Sequence, residues 1–503
     1  MQDDFDLLIV GGGINGAGIA RDAAGRGMSV CLVEKDDLAQ ATSSASTKLV
    51  HGGLRYLEHY EFRLVRESLI ERERLLAIAP HIIWPLRFVL PHDAGLRPKW
   101  MLRLGLFLYD HLGGRKILPA TRDLNLRAAP HGAILEDRLT HGWEYSDCWV
   151  EDSRLVVLNC MDAKERGADI RTRTQCVALE RRKDVWIATL RGEDGQEQQI
   201  TARAVVNAAG PWVDTVLDRA LPRKSHQNLR LVKGSHLIFP KLFEGDHCYI
   251  FQNRDNRIIF AIPYEHGFTL VGTTDQGFKG DPTGIDISDE EARYICDAAN
   301  EYLRTDIAPE QAVASYAGVR PLYEDKSASN STVTRDYQFE VDRGDDASAP
   351  VILSIFGGKL TTYRKLAQHA LEKLDVPGQS WTADKPLPGG DIAVDQFENR
   401  LAQLQMRIDW FAPDGLRRLY RAYGTRVDVI LQGARGLNDL GMHFGGDFYE
   451  AELRYLVAHE FARSAQDVLK RRSKLYLHLD QEAQDKIDHW FKTTDLTAVI
   501  AGA

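Results

Sequence analysis

The 503-residue sequence predicts an α/β fold, in the form of an α+β composite of three parts. Its first 34 residues hold two apolar runs with a glycine-rich segment and a helical segment between them, as in a strand, helix and strand of a parallel sheet. Residues 229–272 contain short apolar runs separated by Gly, Asp and Asn, which indicates a β-rich region. Residues 396–489 have helical periodicity and few strand-like runs. The length also agrees with about three domains.

The N-terminal unit runs from Phe5 to Glu34 and carries three glycines, Gly11, Gly13 and Gly16, with the spacing G-x-G-x-x-G. In such a unit the first glycine permits a tight turn and the second lets the backbone approach a pyrophosphate. The third allows close packing of the helix on the strand. A pyrophosphate would lie on the free N–H groups and the positive end of the helix dipole.

Glu34 ends the second strand, about 20 residues after the glycines, where a carboxylate accepts hydrogen bonds from a ribose 2′-hydroxyl and repels a 2′-phosphate. This predicts a Rossmann-type domain that binds FAD or NAD rather than NADP. The alternative is a glycine-rich loop without a ligand. Because strand, helix, second strand and acid occur in register, the pattern favours dinucleotide binding.

The composition limits the class of protein. With 44% hydrophobic and 27% charged residues, the chain is typical of a soluble globular protein with a large core. A net charge of -9 gives no reason to expect a nucleic-acid partner. The six cysteines have no metal-ligand spacing, so we expect reduced thiols in an intracellular protein, and no metal. We expect no signal peptide and no membrane-spanning segment, so any contact with a membrane would be peripheral.

The segment after the second strand is small and polar. Its hydroxyl side chains can line a phosphate or a ribityl chain, and two glycines that follow let the backbone approach a flat ring. A flexible surface loop is the alternative, but the position directly after a dinucleotide-binding unit favours cofactor lining. The residues concerned are Thr42, Ser43, Ser44, Ser46, Thr47, Gly52 and Gly53.

A surface helix is predicted for residues 62–78, and a second apolar segment follows at 100–112. Trp, Leu and Phe in this second segment stand beside a basic rim, as in helices that lie in a membrane interface. An ordinary core helix with charged ends has the same pattern, so both interpretations stay open. The rim consists of Arg97, Lys99, Arg103, Arg115 and Lys116.

Further elements follow in order along the chain. Asp152 can cap a helix that ends near residue 166, and strands are predicted at 170–176, 185–190 and 200–206. The last of these strands enters a small-residue turn at 208–211, which suits a backbone that passes close to a cofactor. Ser288 and Glu291 form a predicted capping box.

The strand at 351–355 ends in a glycine pair that opens a helix, and such a helix start again suits a polar ligand. Residues 387–390 read as a linker to the C-terminal helical domain. That domain carries a local basic cluster at 470–474.

Four motifs together resemble the FAD-dependent glycerol-3-phosphate dehydrogenases, in particular the aerobic, quinone-linked bacterial enzymes. They are residues 11–27, the HGGLRYL motif at 51–57, GVRPL at 318–322 and GGKLTTYR at 357–364. The resemblance covers essentially the whole chain. It implies non-covalent FAD and oxidation of sn-glycerol 3-phosphate to dihydroxyacetone phosphate. It also implies electron transfer to ubiquinone or menaquinone, a homodimer, and peripheral attachment to the cytoplasmic face of the inner membrane.

The expected cofactor-binding residues combine the motif positions with the polar loop and the later glycine turns. They are Gly11, Gly13, Ile14, Asn15, Gly16, Glu34, Thr42, Ser43, Ser44, Ser46, Lys48, His51, Gly52, Cys176, Ala209, Gly210, Gly357, Gly358, Lys359, Leu360 and Thr361.

The substrate site follows from the chemistry of the implied reaction. A hydride leaves the carbinol carbon for the flavin, a base takes the hydroxyl proton, and a dianionic phosphate is held still. Guanidinium and ammonium groups are suitable holders. By resemblance, the catalytic residues are His51, Arg55, Arg320 and Lys359, and the substrate-binding residues are Arg55, Tyr56, Thr273, Arg320, Arg335 and Lys359.

The identity of the base is open. An imidazole with a pKa near 6.5 can accept a proton at working pH, which favours His51. His51 could instead only hydrogen-bond the flavin, with His236 as the base. For the cationic residues, surface ion pairing is the ordinary alternative. Their positions in glycine- or proline-containing turns at the ends of apolar runs make it a weaker one.

Domain boundaries complete the prediction. We assign residues 1–80, 145–215 and 350–386 to a discontinuous FAD domain, 81–144 and 216–349 to a substrate domain, and 387–503 to the helical domain. The rival functions are an oxygen-using glycerol-3-phosphate oxidase and a flavin amine oxidase. A dinucleotide-binding sensor without catalysis is the non-enzyme rival.

Overall fold

The structure is a computed structural model that describes residues 4–93, 97–221, 228–255, 257–324, 336–346 and 349–502. The strands are β1 (Asp4–Val10), β2 (Val30–Val33), β3 (Leu49–Val50), β4 (Ile83–Pro91), β5 (Arg122–Asn125), β6 (His141–Val150), β7 (Asp169–Arg171), β8 (Thr174–Arg181), β9 (Trp186–Gly192), β10 (Glu197–Asn207), β11 (Leu229–Pro240), β12 (His247–Gln252), β13 (Ile258–Tyr264), β14 (Phe268–Gly272), β15 (Gln276–Gly277), β16 (Ala314–Tyr323), β17 (Gln338–Asp342), β18 (Val351–Phe356), β19 (His443–Gly445) and β20 (Phe448–Tyr449).

The α-helices connect and cover these strands. They are α1 (Ile14–Gly25), α2 (Phe62–Ile78), α3 (Lys99–Leu112), α4 (Asp152–Glu165), α5 (Val213–Ala220), α6 (Asp289–Asn300), α7 (Tyr363–Lys373), α8 (Phe397–Arg407), α9 (Pro413–Tyr423), α10 (Val427–Ile430), α11 (Glu450–His459), α12 (Gln481–Thr493) and α13 (Leu496–Ala501).

The first sheet has the order β17-β18-β10-β1-β2-β7, and β8 and β9 extend it from β10. Its centre is parallel, because β1 pairs with both β2 and β10, and β10 pairs with β18. The strands of this centre are buried apolar runs, as expected for a parallel sheet covered on both faces. The N-terminal strand–helix–strand unit is therefore the middle of a Rossmann-type sheet.

The second sheet has the order β15-β11-β14-β13-β12-β4-β6-β3, with β16 on β11 and β5 on β6. One face packs against α6 and the other against α2 and α3. The chain alternates between the two sheets, which confirms a β-rich region interleaved with the dinucleotide-binding part. The predicted α/β class is confirmed.

The C-terminal part is helical from α8 to α13, with one small hairpin, β19–β20, that the helical pattern did not predict. Two buried ion pairs fix it to the first sheet. Arg472 Nη1 lies 2.6 Å from Asp37, just beyond β2, and Arg154 Nη2 lies 2.8 Å from Glu460. Removing one partner of such a pair costs about 3–5 kcal/mol, because it leaves an uncompensated buried charge.

Two predicted helix caps have different outcomes. The capping box of Ser288 and Glu291 is confirmed. The capping role predicted for Asp152 is wrong, because α4 begins at Asp152 itself, with Glu151 as the preceding residue. The Asp152 carboxylate instead forms an ion pair with Lys48 at 2.9 Å. Leaving the buried Lys48 ammonium without a counter-charge would cost more free energy than leaving the helix N-terminus uncapped.

Candidate functional site

A cleft of about 350 Å³ opens at the carboxyl ends of the parallel strands of the first sheet. Ligands bind at this edge in open α/β sheets. Many of the residues predicted to bind the cofactor line this cleft. They are Gly11, Gly13, Ile14, Asn15, Glu34, Thr42, Ser43, Cys176, Ala209, Gly210, Gly357 and Gly358.

The N-terminus of α1 points its free N–H groups at the cleft. Its N-cap is Gly13, which has no side chain to cap the helix, and within the described residues no acidic residue occupies its first turn. The Ile14 N–H donates to Ser43 Oγ at 3.0 Å, so the hydroxyl loop lies over this helix end. A diphosphate is attracted here by unsatisfied donors and by the helix dipole.

Two glycines make this turn possible. Gly11 has a φ of +117°, and a Cβ there would lie 2.5 Å from the Ala208 carbonyl oxygen. A Cβ on Gly16 would lie 2.0 Å from the carbonyl oxygen of Gly11. Both contacts are with backbone and cannot be relieved by moving a side chain, so the turn requires glycine at these positions.

Glu34 lies in the cleft beyond β2. Its carboxylate accepts the Gly12 N–H at 2.7 Å and the Asp36 N–H at 2.9 Å. Burial raises the pKa of Glu34, and these two hydrogen bonds oppose that shift. The N-terminus of α1, the glycine turn and the fixed carboxylate together fit the diphosphate and ribose of a dinucleotide.

The later glycine turn joins the cleft at the other end. Asn15 Nδ2 donates to the Gly357 carbonyl at 3.1 Å, and the buried Asn15 Oδ1 has no hydrogen-bond partner among the described residues. The His51 N–H donates to Thr361 Oγ1 at 3.2 Å. Thr361, four residues after Gly357, therefore contacts the backbone of His51, and Leu360 belongs to the same short helix, Leu360–Thr362. Of these residues, Gly357 lines the described cleft.

A buried network supports the turn that follows β3. The Gly52 N–H donates to the Tyr109 hydroxyl at 2.6 Å, and that hydroxyl donates to Asp147 at 2.7 Å. Arg72 Nη1 lies 2.6 Å from the same carboxylate. These side chains are separated from the HGGLRYL motif by tens of residues, and no motif in the sequence indicates them. They hold the backbone N–H of Gly52, and with it this turn, in place.

Three loop residues predicted to bind the cofactor have protein partners instead. Lys48 Nζ donates to Asp152 at 2.9 Å and to the Ser44 carbonyl at 3.0 Å. Ser46 Oγ donates to Asp152 at 2.8 Å. None of Ser44, Ser46 and Lys48 lines the described cleft, and their assignment to the cofactor stays a prediction.

Lys359 follows the glycine pair of residues 357 and 358, and its side-chain ammonium is buried. Its Nζ lies 4.0 Å from the centre of the Tyr56 ring and has no hydrogen-bond partner among the described residues. A buried ammonium without an acceptor is costly unless an anion arrives. Ring contact with Tyr56 contributes about 0.5–2 kcal/mol and leaves the hydrogen-bond donors unused.

Arg320 on β16 lies beside this turn, because Pro321 O is next to Gly357. Its Nη2 donates to the Thr274 carbonyl at 2.9 Å and lies 3.7 Å from Asp275. Thr273 lies against the same Gly234 backbone as Arg320. The structure thus pairs Arg320 with Thr273 and Lys359 with Tyr56, and the shared role of the four residues at a substrate site stays a prediction.

The two remaining predicted cations differ in what the structure describes. Arg55 is half-buried in the short helix Leu54–His59, directly before Tyr56. Arg335 lies outside the described residues. The roles assigned to Arg55 and Arg335 stay predictions.

His236, the alternative base, is enclosed. Its ring is stacked on Tyr316 at 4.8 Å, and Nε2 lies 3.0 Å from Thr47 Oγ1. Burial, followed by the charges of Lys48 and Arg320, lowers the pKa of His236 to about 3. Such an imidazole is neutral at working pH but a weak base. His51, half-buried at the turn after β3, stays the preferred candidate.

Known proteins match both halves of the chain. The model of the FAD-dependent oxidoreductase family DAO matches residues 6–364, and the model of the C-terminal domain of alpha-glycerophosphate oxidase matches residues 380–493. A D-erythritol 1-phosphate dehydrogenase of Brucella abortus is 51% identical over 98% of this chain and 99% of its own. A glycerol-3-phosphate dehydrogenase of Pseudomonas aeruginosa is 52% identical over 98% and 96%.

Two further matches extend the comparison. An aerobic glycerol-3-phosphate dehydrogenase of Escherichia coli is 46% identical over 96% of this chain and 97% of its own. The crystal structure of a glycerol-3-phosphate dehydrogenase from Bacillus halodurans, complexed with FAD, superposes with a TM-score of 0.77 at 29% identity. That superposition covers 99% of this chain and 93% of the other.

Proposed function

The chain belongs to the FAD-dependent oxidoreductases, in the branch that contains the glycerol-3-phosphate dehydrogenases, and from this premise we propose its reaction. It oxidises sn-glycerol 3-phosphate to dihydroxyacetone phosphate and passes the electrons to a membrane quinone. The observation that carries the proposal is the buried Lys359 ammonium, which has no hydrogen-bond partner among the described residues. A substrate phosphate supplies the missing acceptor.

The side chains around Lys359 suggest a division of roles. When bound, FAD supplies the acceptor for the carbinol hydride. Lys359 and Arg320 hold the phosphate, and Arg55 on the neighbouring turn assists them. His51 takes the hydroxyl proton as the hydride leaves. The Tyr109–Asp147 network fixes the turn that carries His51, so the base keeps its position relative to the substrate.

A direct test is anaerobic titration of the yellow protein with polyol phosphates. We expect glycerol 3-phosphate to bleach the flavin absorbance. D-erythritol 1-phosphate is the second candidate substrate, because a relative named for it is as similar as the glycerol-3-phosphate dehydrogenases. The kcat/KM ratio for the two compounds ranks them. If only amino acids bleached the flavin, the protein would be a flavin amine oxidase. If no tested compound bleached it, the dinucleotide-binding sensor without catalysis would be the remaining hypothesis.

The electron acceptor is tested separately. With glycerol 3-phosphate in excess, we expect reoxidation by a short-chain ubiquinone or menaquinone to be faster than reoxidation by oxygen. Hydrogen peroxide formed in step with turnover would instead identify the oxidase. The homodimer implied by the resemblance is a further expectation, which sedimentation equilibrium measures.

The surface proposed to contact the cytoplasmic membrane is the outer face of α3. This helix buries Leu102 and Leu106, while Trp100 and Phe107 on its other face are 69% and 54% exposed. Large apolar side chains in such a patch mark an interaction surface. Of the basic rim predicted from residues 97–116, Lys99 and Lys116 are exposed, whereas Arg97 pairs with Glu58 and Arg103 lies 3.6 Å from Asp123. Exposed cations beside such a patch attract anionic lipid. Among the described residues, no helix is long and apolar enough to cross a bilayer.

We expect the double variant Trp100→Glu, Phe107→Glu to bind vesicles of anionic phospholipid at least about tenfold more weakly than the natural chain. Each aromatic side chain contributes about 1.5–3 kcal/mol of apolar burial, and two acidic groups repel the lipid. Co-sedimentation at low salt measures the effect. Met406→Glu is the matched control, since Met406 is 74% exposed on the C-terminal domain. Equal sedimentation of the three proteins would contradict the assignment of this face.

A further inference from the structure

The basic cluster at residues 470–474 has no role in the reaction proposed above, and most of its charge is buried. Arg472 and Lys474 are buried, and Arg471 is nearly so. Among the described residues, none that lines the cofactor cleft belongs to the C-terminal domain. The cluster nevertheless forms ion pairs with the segment that directly follows β2 and begins with Glu34.

A π-helix, Asp467–Arg472, gives the side chains of this cluster their arrangement. The Ser473 N–H donates to the Val468 carbonyl, five residues earlier, at 3.0 Å. The wider turn of a π-helix brings residues i, i+4 and i+5 to one side, and such turns are rare and often occur at functional sites. The residues on this side are Asp467, Arg471 and Arg472.

Asp37 is the residue on which two guanidinium groups converge. Its carboxylate lies 2.6 Å from Arg472 Nη1 and 2.5 Å from Arg471 Nε. Burial favours the neutral acid, but the charges of Arg472 and Arg471 outweigh it and lower the pKa of Asp37 below its ordinary value. The carboxylate is therefore charged at neutral pH, and the two ion pairs attach residue 37 to the C-terminal domain.

Residues 34–37 connect this anchor to the cofactor cleft. The Asp36 N–H donates to the Glu34 carboxylate at 2.9 Å, so the segment folds around that carboxylate. The Arg173 N–H donates to the Asp36 carbonyl at 2.9 Å, and Arg173 Nη2 lies 2.6 Å from Asp467. The π-helix therefore holds this short segment directly, through the two ion pairs, and indirectly, through Arg173.

Lys474 extends the contact to the base of the hydroxyl loop. Its Nζ lies 3.0 Å from Glu151 and donates to Ser153 Oγ at 3.0 Å. Between these two residues, the Asp152 carboxylate accepts a hydrogen bond from Lys48 Nζ at 2.9 Å. Residues 151–153 thus link the C-terminal domain to the loop that lies over the N-terminus of α1.

We propose that residues 467–474 position Glu34 for the ribose of FAD, so that a domain outside the cleft sets the affinity for the cofactor. Arg471 and Arg472 are positioning residues, because they act on the ribose through the segment 34–37. The inference concerns cofactor binding, so it does not depend on which polyol phosphate the enzyme oxidises. Coupling between two sites is reciprocal, and bound FAD should therefore stabilise the contact in turn.

Arg471→Gln tests the inference with little damage to the fold, because Arg472 still pairs with Asp37. We expect the Kd for FAD to rise about tenfold, as for the loss of one hydrogen bond to a charged group. Serial dilution of the holoenzyme, followed by ultrafiltration and measurement of free FAD, gives this Kd.

The matched control is Arg426→Gln. Arg426 Nη2 lies 2.6 Å from Glu165 at the end of α4, so this ion pair also attaches the C-terminal domain to the first sheet's helices, and neither residue lines the cleft. The Kd for FAD should change less than about twofold, as expected for a surface pair.

A double-mutant cycle with Glu34→Gln distinguishes positioning from a general loss of structure. If Arg471 acts through Glu34, Arg471→Gln should raise the Kd less than about twofold further in a chain that already carries Glu34→Gln. Equal effects of Arg471→Gln in both backgrounds, or a normal Kd in the single variant, would overturn the inference. If glycerol 3-phosphate failed to bleach the flavin, the proposed reaction would be wrong, whereas these Kd values would still decide the present question.

Hydrogen exchange tests the same coupling on the natural chain, without a substitution. FAD should slow the exchange of the amides at residues 467–473 at least about fivefold, although none of these residues lines the cleft. Helix α12 of the same domain is the internal reference and should change less than about twofold. Exchange at residues 467–473 that was the same with and without FAD would also overturn the inference.

Discussion

Lys359→Met is expected to lower kcat/KM for glycerol 3-phosphate, measured per bound FAD, by about 10²- to 10³-fold. Its ammonium is buried against Tyr56, and within the described residues it has no hydrogen-bond partner, so the phosphate is the acceptor it is placed for. Truncating one partner of a buried, hydrogen-bonded charge pair costs about 2–5 kcal/mol, which corresponds to this range. Steady-state kinetics with a short-chain quinone measure it.

The control for this variant comes from the same segment. Lys373 is exposed at the end of α7, the helix that begins four residues after Lys359. Lys373→Met removes the same charge and should leave kcat/KM within about twofold of the natural chain. If Lys359→Met kept normal turnover, the phosphate would have to bind elsewhere, and the proposed substrate site would be wrong.

Gly13→Ala is expected to weaken FAD binding by about 100-fold or more without unfolding the protein. Gly13 has a φ of -84°, which alanine adopts without strain, and an added Cβ would meet only Ser43 Oγ, at 3.2 Å. The methyl group would instead occupy the space through which the diphosphate reaches the end of α1. Several hydrogen bonds to the diphosphate are then lost, at about 1.5–3 kcal/mol each.

Flavin absorbance and thermal unfolding of the purified variant separate these two effects. Gly105→Ala is the control, because a Cβ there has nothing within 4 Å, and it should bind FAD normally. Gly16→Ala should fail to fold, since its Cβ would lie 2.0 Å from a backbone oxygen. A yellow, stoichiometric Gly13→Ala protein would show that the diphosphate does not rest on this turn.

Local patterns were sufficient for much of the fold. The strand–helix–strand unit at the N-terminus, the helix at residues 62–78 and the Ser288 capping box all depend on neighbours in the chain, and the structure confirms them. The α3 segment needed tertiary information. Its amino-acid sequence fits a core helix and an interfacial helix equally well. The structure shows that one face of the helix is buried and the other is exposed.

The site could be predicted from the sequence only where a glycine or a sequence motif indicates a turn of the backbone. The turns at Gly11 and Gly357 are of this kind. The carboxylates that compensate buried cations do not, because Asp147 and Asp152 act on partners that are distant in sequence. Asp152 is an example, because its position in the sequence suggested a helix cap, whereas its carboxylate forms an ion pair with Lys48. Pairing across a fold depends on three-dimensional packing, which periodicity does not encode.

The buried ion pair of Asp37 and Arg472 has a consequence for the synthesis of the protein on the ribosome. The two residues are 435 positions apart in the sequence. The carboxylate of Asp37 therefore cannot pair with Arg472 until translation is nearly complete. At about 5–20 residues per second, that delay is roughly 20–90 s. The cofactor sheet also needs β18, which leaves the exit tunnel late. A nascent chain should therefore capture flavin only at the end of its synthesis, and prematurely terminated products should be colourless.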